Sequence, residues 1–201
     1  MGNENSKSNQ QILLVGNEKA GKTLFLKKLI DMKKSDSENI IIDSTTAFNA
    51  VNISFNNISY DIWELGGDTI SKLYWPTFYR NLKFDAVIFI INLSDKSTYT
   101  TAMKELLILV NQEELKDANI YVLFNIILNE EDKKKNWENE LKDKTEIANN
   151  LMSDLRACSV HSFDTRIFWF IFDISKMKEG ETKTTEMLNK ILNIASEEPD
   201  E

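Results

Sequence analysis

Residues 11–23 read Gln11-Ile12-Leu13-Leu14-Val15-Gly16-Asn17-Glu18-Lys19-Ala20-Gly21-Lys22-Thr23. Five residues, Gln11 to Val15, have the composition of a buried strand. The next eight, Gly16 to Thr23, match the phosphate-binding pattern G-x-x-x-x-G-K-[ST] in full. That order has a chemical reason. A helix N-terminus offers unpaired N–H groups and a partial positive end to anionic phosphates. Glycines at 16 and 21 let the backbone curl so that successive N–H groups point inward. Lys22 adds a full charge at the outer phosphates, and the Thr23 hydroxyl is a ligand for Mg²⁺. The strand before the motif, and Leu24 to Ile30 running helically after it, supply the expected context.

Outward from this loop, the chain alternates strands and helices. A helix is expected over 23–33 and a polar loop over 34–46. Two strands, Phe48 to Phe55 and Asn57 to Leu65, meet at an Asn56-Asn57 turn. Residues 68–82 read as a loop and a short helix, with Pro76 in its first turn. Phe84 to Ile91 is a continuous apolar run, as in a strand covered on both faces. A helical segment over 96–116, a strand over Ile120 to Ile127 and a charged stretch over 129–150 follow. That stretch leads a helix patterned on Ile147, Leu151 and Leu155. A strand from Ile167 to Ile174 and an amphipathic helix with Met187, Ile191, Leu192 and Ala195 complete the pattern. The expectation is an α/β fold with a mostly parallel sheet and one antiparallel edge hairpin. Its ligand site lies at the carboxyl ends of the strands.

Composition narrows the partners. The 201 residues are 42% hydrophobic and 28% charged, values suited to one core-forming domain. Residues 1–10 read as a flexible polar N-terminus, 11–196 as the domain and 197–201 as an acidic tail. A net charge of −8 argues against nucleic acid or anionic lipid as charge-driven partners. The single cysteine, Cys158, excludes an internal disulfide. With no secretory signal evident, a reducing cytoplasmic setting is expected. Cys158 itself is expected to be a half-buried structural thiol, and the lone His161 has no partner for zinc. Met1-Gly2-Asn3-Glu4-Asn5-Ser6 fits the N-myristoylation pattern, with Gly2 as acceptor. One acyl chain anchors only marginally, so any peripheral membrane contact is expected to be weak and reversible.

Further motifs point to one family. Asp61-Ile62-Trp63-Glu64-Leu65-Gly66-Gly67 is similar to the W-D-x-G-G-Q block of the Arf-like small GTPases, and Trp75 and Tyr79 follow at that family's spacing. Thr45-Thr46-Ala47-Phe48-Asn49 resembles its first switch, T-x-G-F-N, and Glu18 stands where Arf proteins carry an acid. The resemblance covers nearly the whole chain. It implies a P-loop NTPase, small-GTPase-like three-layer fold, with a mostly parallel six-stranded sheet and one antiparallel edge strand. It implies a nucleotide-dependent switch that recruits effectors and exchange factors in intracellular membrane or ciliary trafficking.

By the same resemblance, GTP or GDP is held by residues 16–23, Gly67, Asn125, Ser175 and Lys176. Mg²⁺ is held by Thr23, Thr45 and, through water, Glu64. Phe48, Trp63 and Phe78 form an apolar effector surface, for which plain core packing is the competing reading.

Departures from the pattern set the alternatives. Asp68 replaces the catalytic glutamine, so slow intrinsic hydrolysis is expected. The base-reading N-K-x-D has become Asn125-Ile126-Ile127-Leu128, with Asn129 one register later as an imperfect substitute for the aspartate. The S-A-K loop survives only as Ser175-Lys176-Met177, and Glu64 is one methylene longer than the family's aspartate. These changes keep open a pseudo-GTPase scaffold that binds nucleotide weakly or without selectivity and does not turn over. An ATP-dependent phosphotransferase is a third reading. The chain's three arginines, Arg80, Arg156 and Arg166, do not build the arginine-rich lid that chemistry uses.

Overall fold

The computed structural model describes residues 9–32, 48–55, 58–126, 137–159, 163–178 and 181–193. Gly2, the loop 34–46 with Thr45, the turn 56–57, Leu128, Asn129, His161 and the tail 197–201 lie outside the described residues.

The order is β1 (Gln10–Gly16), α1 (Lys22–Met32), β2 (Phe48–Phe55), β3 (Ile58–Leu65), α2 (Thr69–Lys72), α3 (Trp75–Asn81), β4 (Ala86–Asn92), α4 (Tyr99–Val110), β5 (Asn119–Asn125), α5 (Trp137–Cys158), α6 (Phe163–Arg166), β6 (Ile167–Phe172) and α7 (Thr182–Asn193). The strands form one sheet in the order β2-β3-β1-β4-β5-β6. Only β2 runs antiparallel, paired to β3 at the sheet edge. The other neighbours are parallel.

Side-chain alternation along the strands divides the core. In β4, Val87, Phe89 and Ile91 face one cluster with residues of α3, α4 and α5. Ala86, Ile88 and Ile90 face the other, with α1 and α7. Helices thus cover both faces, the only way a fully apolar parallel strand escapes water. Each large aliphatic or aromatic side chain so buried contributes about 1.5–3 kcal/mol.

Three expectations shift. The segment 68–82 holds two helices: α2 is one turn, and α3 restarts at Trp75 with Pro76 in its first turn. The buried stripe of α5 is Ala148, Met152 and Leu155, while Ile147 and Leu151 only flank it. Cys158 is exposed, not half-buried. It is the last residue of α5, beyond the end of that stripe.

Candidate nucleotide site

The first strand ends in the middle of the sheet, with β3 on one side and β4 on the other. The chain leaves in opposite directions at this point, which opens a crevice at the strands' carboxyl ends. Residues 16–21 cross that crevice and α1 begins at Lys22. The crossing needs glycine. Gly16 has φ 144° and Gly21 φ 108°, and a Cβ on Gly16 would stand 2.3 Å from the Ile90 carbonyl oxygen. Lys19 is the one other residue with positive φ among those described, at 58°.

Lys22 is 7% exposed. Its Nζ donates to the carbonyl oxygens of Gly16 and Asn17, both at 2.9 Å. Burial lowers its pKa from 10.5 to about 8; the Glu64 carboxylate works against that fall and the charge of Lys72 adds to it. An ammonium so desolvated is stabilised by any anion placed beside it.

Glu64, the penultimate residue of β3, is fully buried. Thr23 Oγ1 donates to its Oε1, and Asn49 Nδ2 donates to its Oε2 at 3.0 Å. The Thr23 proton is therefore spent on Glu64, and the hydroxyl keeps oxygen lone pairs for a cation. This donor set fits Mg²⁺, which prefers one or two protein oxygens plus water and phosphate to an all-protein cage. Among the described residues no cluster of three or more acidic, His or Cys side chains could hold a metal without such help.

The β3–α2 connection lies against the loop. Glu18 N donates to Gly67 O at 3.0 Å. A Cβ at Gly67 would come within 2.3 Å of Gly16 O and 2.4 Å of Lys22 Nζ, so no other residue fits there without a shift. A cleft of about 680 Å³ opens here, lined by Lys19, Lys22, Thr23, Glu64, Gly67 and Asp68 among others, with Lys27 one turn further along α1.

Asp68 does something the sequence reading did not foresee. It is the N-cap of α2: Oδ1 accepts from Ile70 N at 2.9 Å and Ser71 N at 3.0 Å, and Oδ2 accepts from the Ser71 hydroxyl. These bonds, the Ser71 side chain first, hold its carboxyl below the ordinary range. The signal was present in the sequence: an aspartate directly before a short helical stretch is an N-cap.

The other expected residues divide. Asn17 and Ala20 are buried and are not among the residues that line the cleft. Asn125, 1% exposed, donates to Ala20 O at 2.9 Å and accepts from Ile174 N at 3.2 Å. It pins the phosphate loop to the turn after β6. In that turn Asp173 caps Ser175 and pairs with Lys176 at 3.4 Å. Asn125, Ser175 and Lys176 thus gather behind the loop, outside the lining of the phosphate cleft. Phe48, Trp63 and Phe78 do meet, with ring centroids 5.3–6.2 Å apart. Phe48 is 50% exposed, so the cluster lies at the surface. Lys72 and Asn49 are site neighbours to which sequence reasoning gave no role. No local pattern marks a contact between residues tens of positions apart.

A sequence profile of the ADP-ribosylation factor family matches residues 2–192. ADP-ribosylation factor-like protein 1 of Saccharomyces cerevisiae is 36% identical over 115 residues, 57% of this chain and 59% of that protein. The protein of the same name from Drosophila melanogaster is 32% identical over 115 residues, 57% and 60% of the two chains. The chain therefore spans about three fifths of the length of these relatives. In structure it is similar to the Arl6 BBS3 small GTPase from Trypanosoma brucei with bound nucleotide analogue GppNp. The TM-score is 0.63, covering 94% of this chain and 98% of that one. At 18% identity that likeness speaks to the fold: a small-GTPase-type P-loop architecture.

Proposed function

The chain belongs to the ADP-ribosylation factor family, and on that premise we propose that it is an Arf-like switch that binds guanine nucleotide with Mg²⁺ at residues 16–23. The observation that carries this reading is Lys22, a buried ammonium ringed by the loop's own carbonyls at the edge of a cleft of phosphate-binding size. In this reading the loop N–H groups and Lys22 hold the phosphates. Thr23 and Thr45 ligate Mg²⁺, and Glu64 orients its water. The metal supplies charge neutralisation at the terminal phosphates. Phe48, Trp63 and Phe78 take an effector, in trafficking at intracellular or ciliary membranes, and Gly2 is the site of a weak lipid anchor. With Leu128 in the aspartate's place, discrimination of guanine from adenine is weak.

The test is calorimetry of GDP and GTP binding. Lys22→Ala removes charge-assisted bonds to phosphate and is expected to lose at least about 2 kcal/mol of affinity. Unchanged affinity would remove the reading.

A second reading, a scaffold without turnover, is favoured by one observation: both oxygens of Asp68 are engaged in capping α2. A carboxylate so held accepts hydrogen bonds and has no N–H to offer an attacking water.

A further inference from the structure

Helix α2 is a single turn of four residues, too short to hold itself together in water. What fixes it is what it is tied to. Asp68 caps its start. At its end, the Lys72 side chain is only 13% exposed, an unusual position for a lysine. Its Nζ donates to Asn17 Oδ1 at 2.7 Å, lies 3.7 Å from Glu105 of α4 and sits 5.9 Å from the Trp75 ring centre. Asn17 belongs to the phosphate loop. Its Nδ2 donates to Thr98 O at 3.3 Å, and its backbone oxygen accepts from Lys22. The contacts therefore run from Glu105 through Lys72 and Asn17 to Lys22. Beside them run Glu18 N to Gly67 O and Trp75 Nε1 to Gly66 O at 2.9 Å.

We propose that Lys72 is a positioning residue of the phosphate site, locking α2 to the phosphate loop through Asn17, so that the charge of the bound ligand and the placement of α2 form one linked equilibrium. The proposal rests on the nucleotide reading above. Two ammonium groups flank Asn17, and their repulsion is relieved by an anion at the loop. A triphosphate brings more negative charge than a diphosphate and gains more from Lys72. By reciprocity, the triphosphate holds α2 more firmly in place.

The test uses the full chain and four variants: Lys72→Met, Lys72→Arg, Asn17→Leu and the Lys72→Met/Asn17→Leu pair. The first readout is hydrogen exchange of the Glu18 amide without nucleotide. The second is the release rate of fluorescently labelled GDP and GTP. Lys72→Met is expected to speed Glu18 exchange by about tenfold. It is expected to speed GTP release by about tenfold and GDP release by less. Lys72→Arg restores both, and Asn17→Leu matches Lys72→Met. The double variant goes no further than either single one, as for two halves of one contact. Unchanged Glu18 exchange in Lys72→Met, equal effects on GDP and GTP, or additivity in the double variant each overturn the proposal. A wild-type chain that binds neither nucleotide refutes the nucleotide reading and the charge linkage with it. The Glu18 amide still decides, by itself, whether Lys72 ties α2 to the loop.

Discussion

Lys22 carries a signature that titration can detect. With its pKa at about 8 in the fold and 10.5 in the unfolded chain, the folded state binds fewer protons between those values. Stability therefore rises with pH across that window, and below pH 8 the buried charge costs about 3 kcal/mol. Denaturant melts of the nucleotide-free protein from pH 7 to 10.5 check this, and Lys22→Met flattens the slope. Bound phosphate draws the pKa back up, so binding takes up roughly three quarters of a proton at pH 8.5 and almost none at pH 6.5. Calorimetry in two buffers of different ionisation enthalpy measures that uptake. At Asp68 the sign is opposite. Its depressed pKa means that its capping contribution is present above the ordinary value of 3.8 and is lost as pH falls through the folded value. Asp68→Gln separates its two roles. Glutamine is a poor N-cap but donates an N–H. Single-turnover phosphate release should rise on the order of tenfold, while the Ile70 and Ser71 amides lose protection from exchange. A wild-type rate that collapses in Asp68→Asn, which still caps, would instead make Asp68 a working base.

At the level of elements, what the sequence made legible is what repeats locally. Alternation and apolar runs placed all six strands, and the phosphate loop announced itself by spacing. Errors arose where a helix's orientation depends on its partner. In the charged helix α5, Ala148 and Met152 take the buried positions expected of Ile147 and Leu151, while Leu155 keeps its own. The family motif places Asp68 beside the phosphates, while its capping role depends on a four-residue helix that starts directly after it. Arg166 stands in no motif that marks a role, yet it is 7% exposed. Its guanidinium donates to Leu115 O at 3.1 Å, Ala118 O at 3.2 Å and Val110 O. It stitches the end of α4 to the turn before β5. Arg166→Ala strands those carbonyls and is expected to cost about 3 kcal/mol, read as a lowered urea midpoint with an unchanged slope. Arg166→Lys, which reaches fewer acceptors, recovers only part of that.

For the molecule as a whole, the hairpin β2–β3 joins the phosphate site to the apolar surface. Residue pairs Asn49–Glu64 and Ala50–Trp63 lie side by side in register. One backbone ladder thus carries both the Glu64 carboxylate and the Trp63 ring. Phe48 is half exposed and packs on Trp63 and Phe78 alone among the aromatic rings described. Phe48→Ala is therefore expected to leave stability within about 1 kcal/mol. It should weaken effector capture by at least about tenfold, as loss of a central aromatic anchor does. Paired thermal melts and binding measurements on one preparation check both. A fall in stability of several kcal/mol would place Phe48 in the core and not on a docking surface.

The buried hydroxyl of Tyr60 donates to Leu192 O near the end of α7. These residues are 132 positions apart in the chain. Strand β3 leaves the ribosome more than a hundred residues before α7, which helps cover its Tyr60 face. Until α7 emerges, Tyr60, Ile62 and Ile88 lack part of their apolar cover. During synthesis the nascent chain thus leaves part of that sheet face open until α7 has emerged. Nascent chains stalled before residue 187 are thus expected to bind a chaperone that shields apolar strands more than chains that already carry α7.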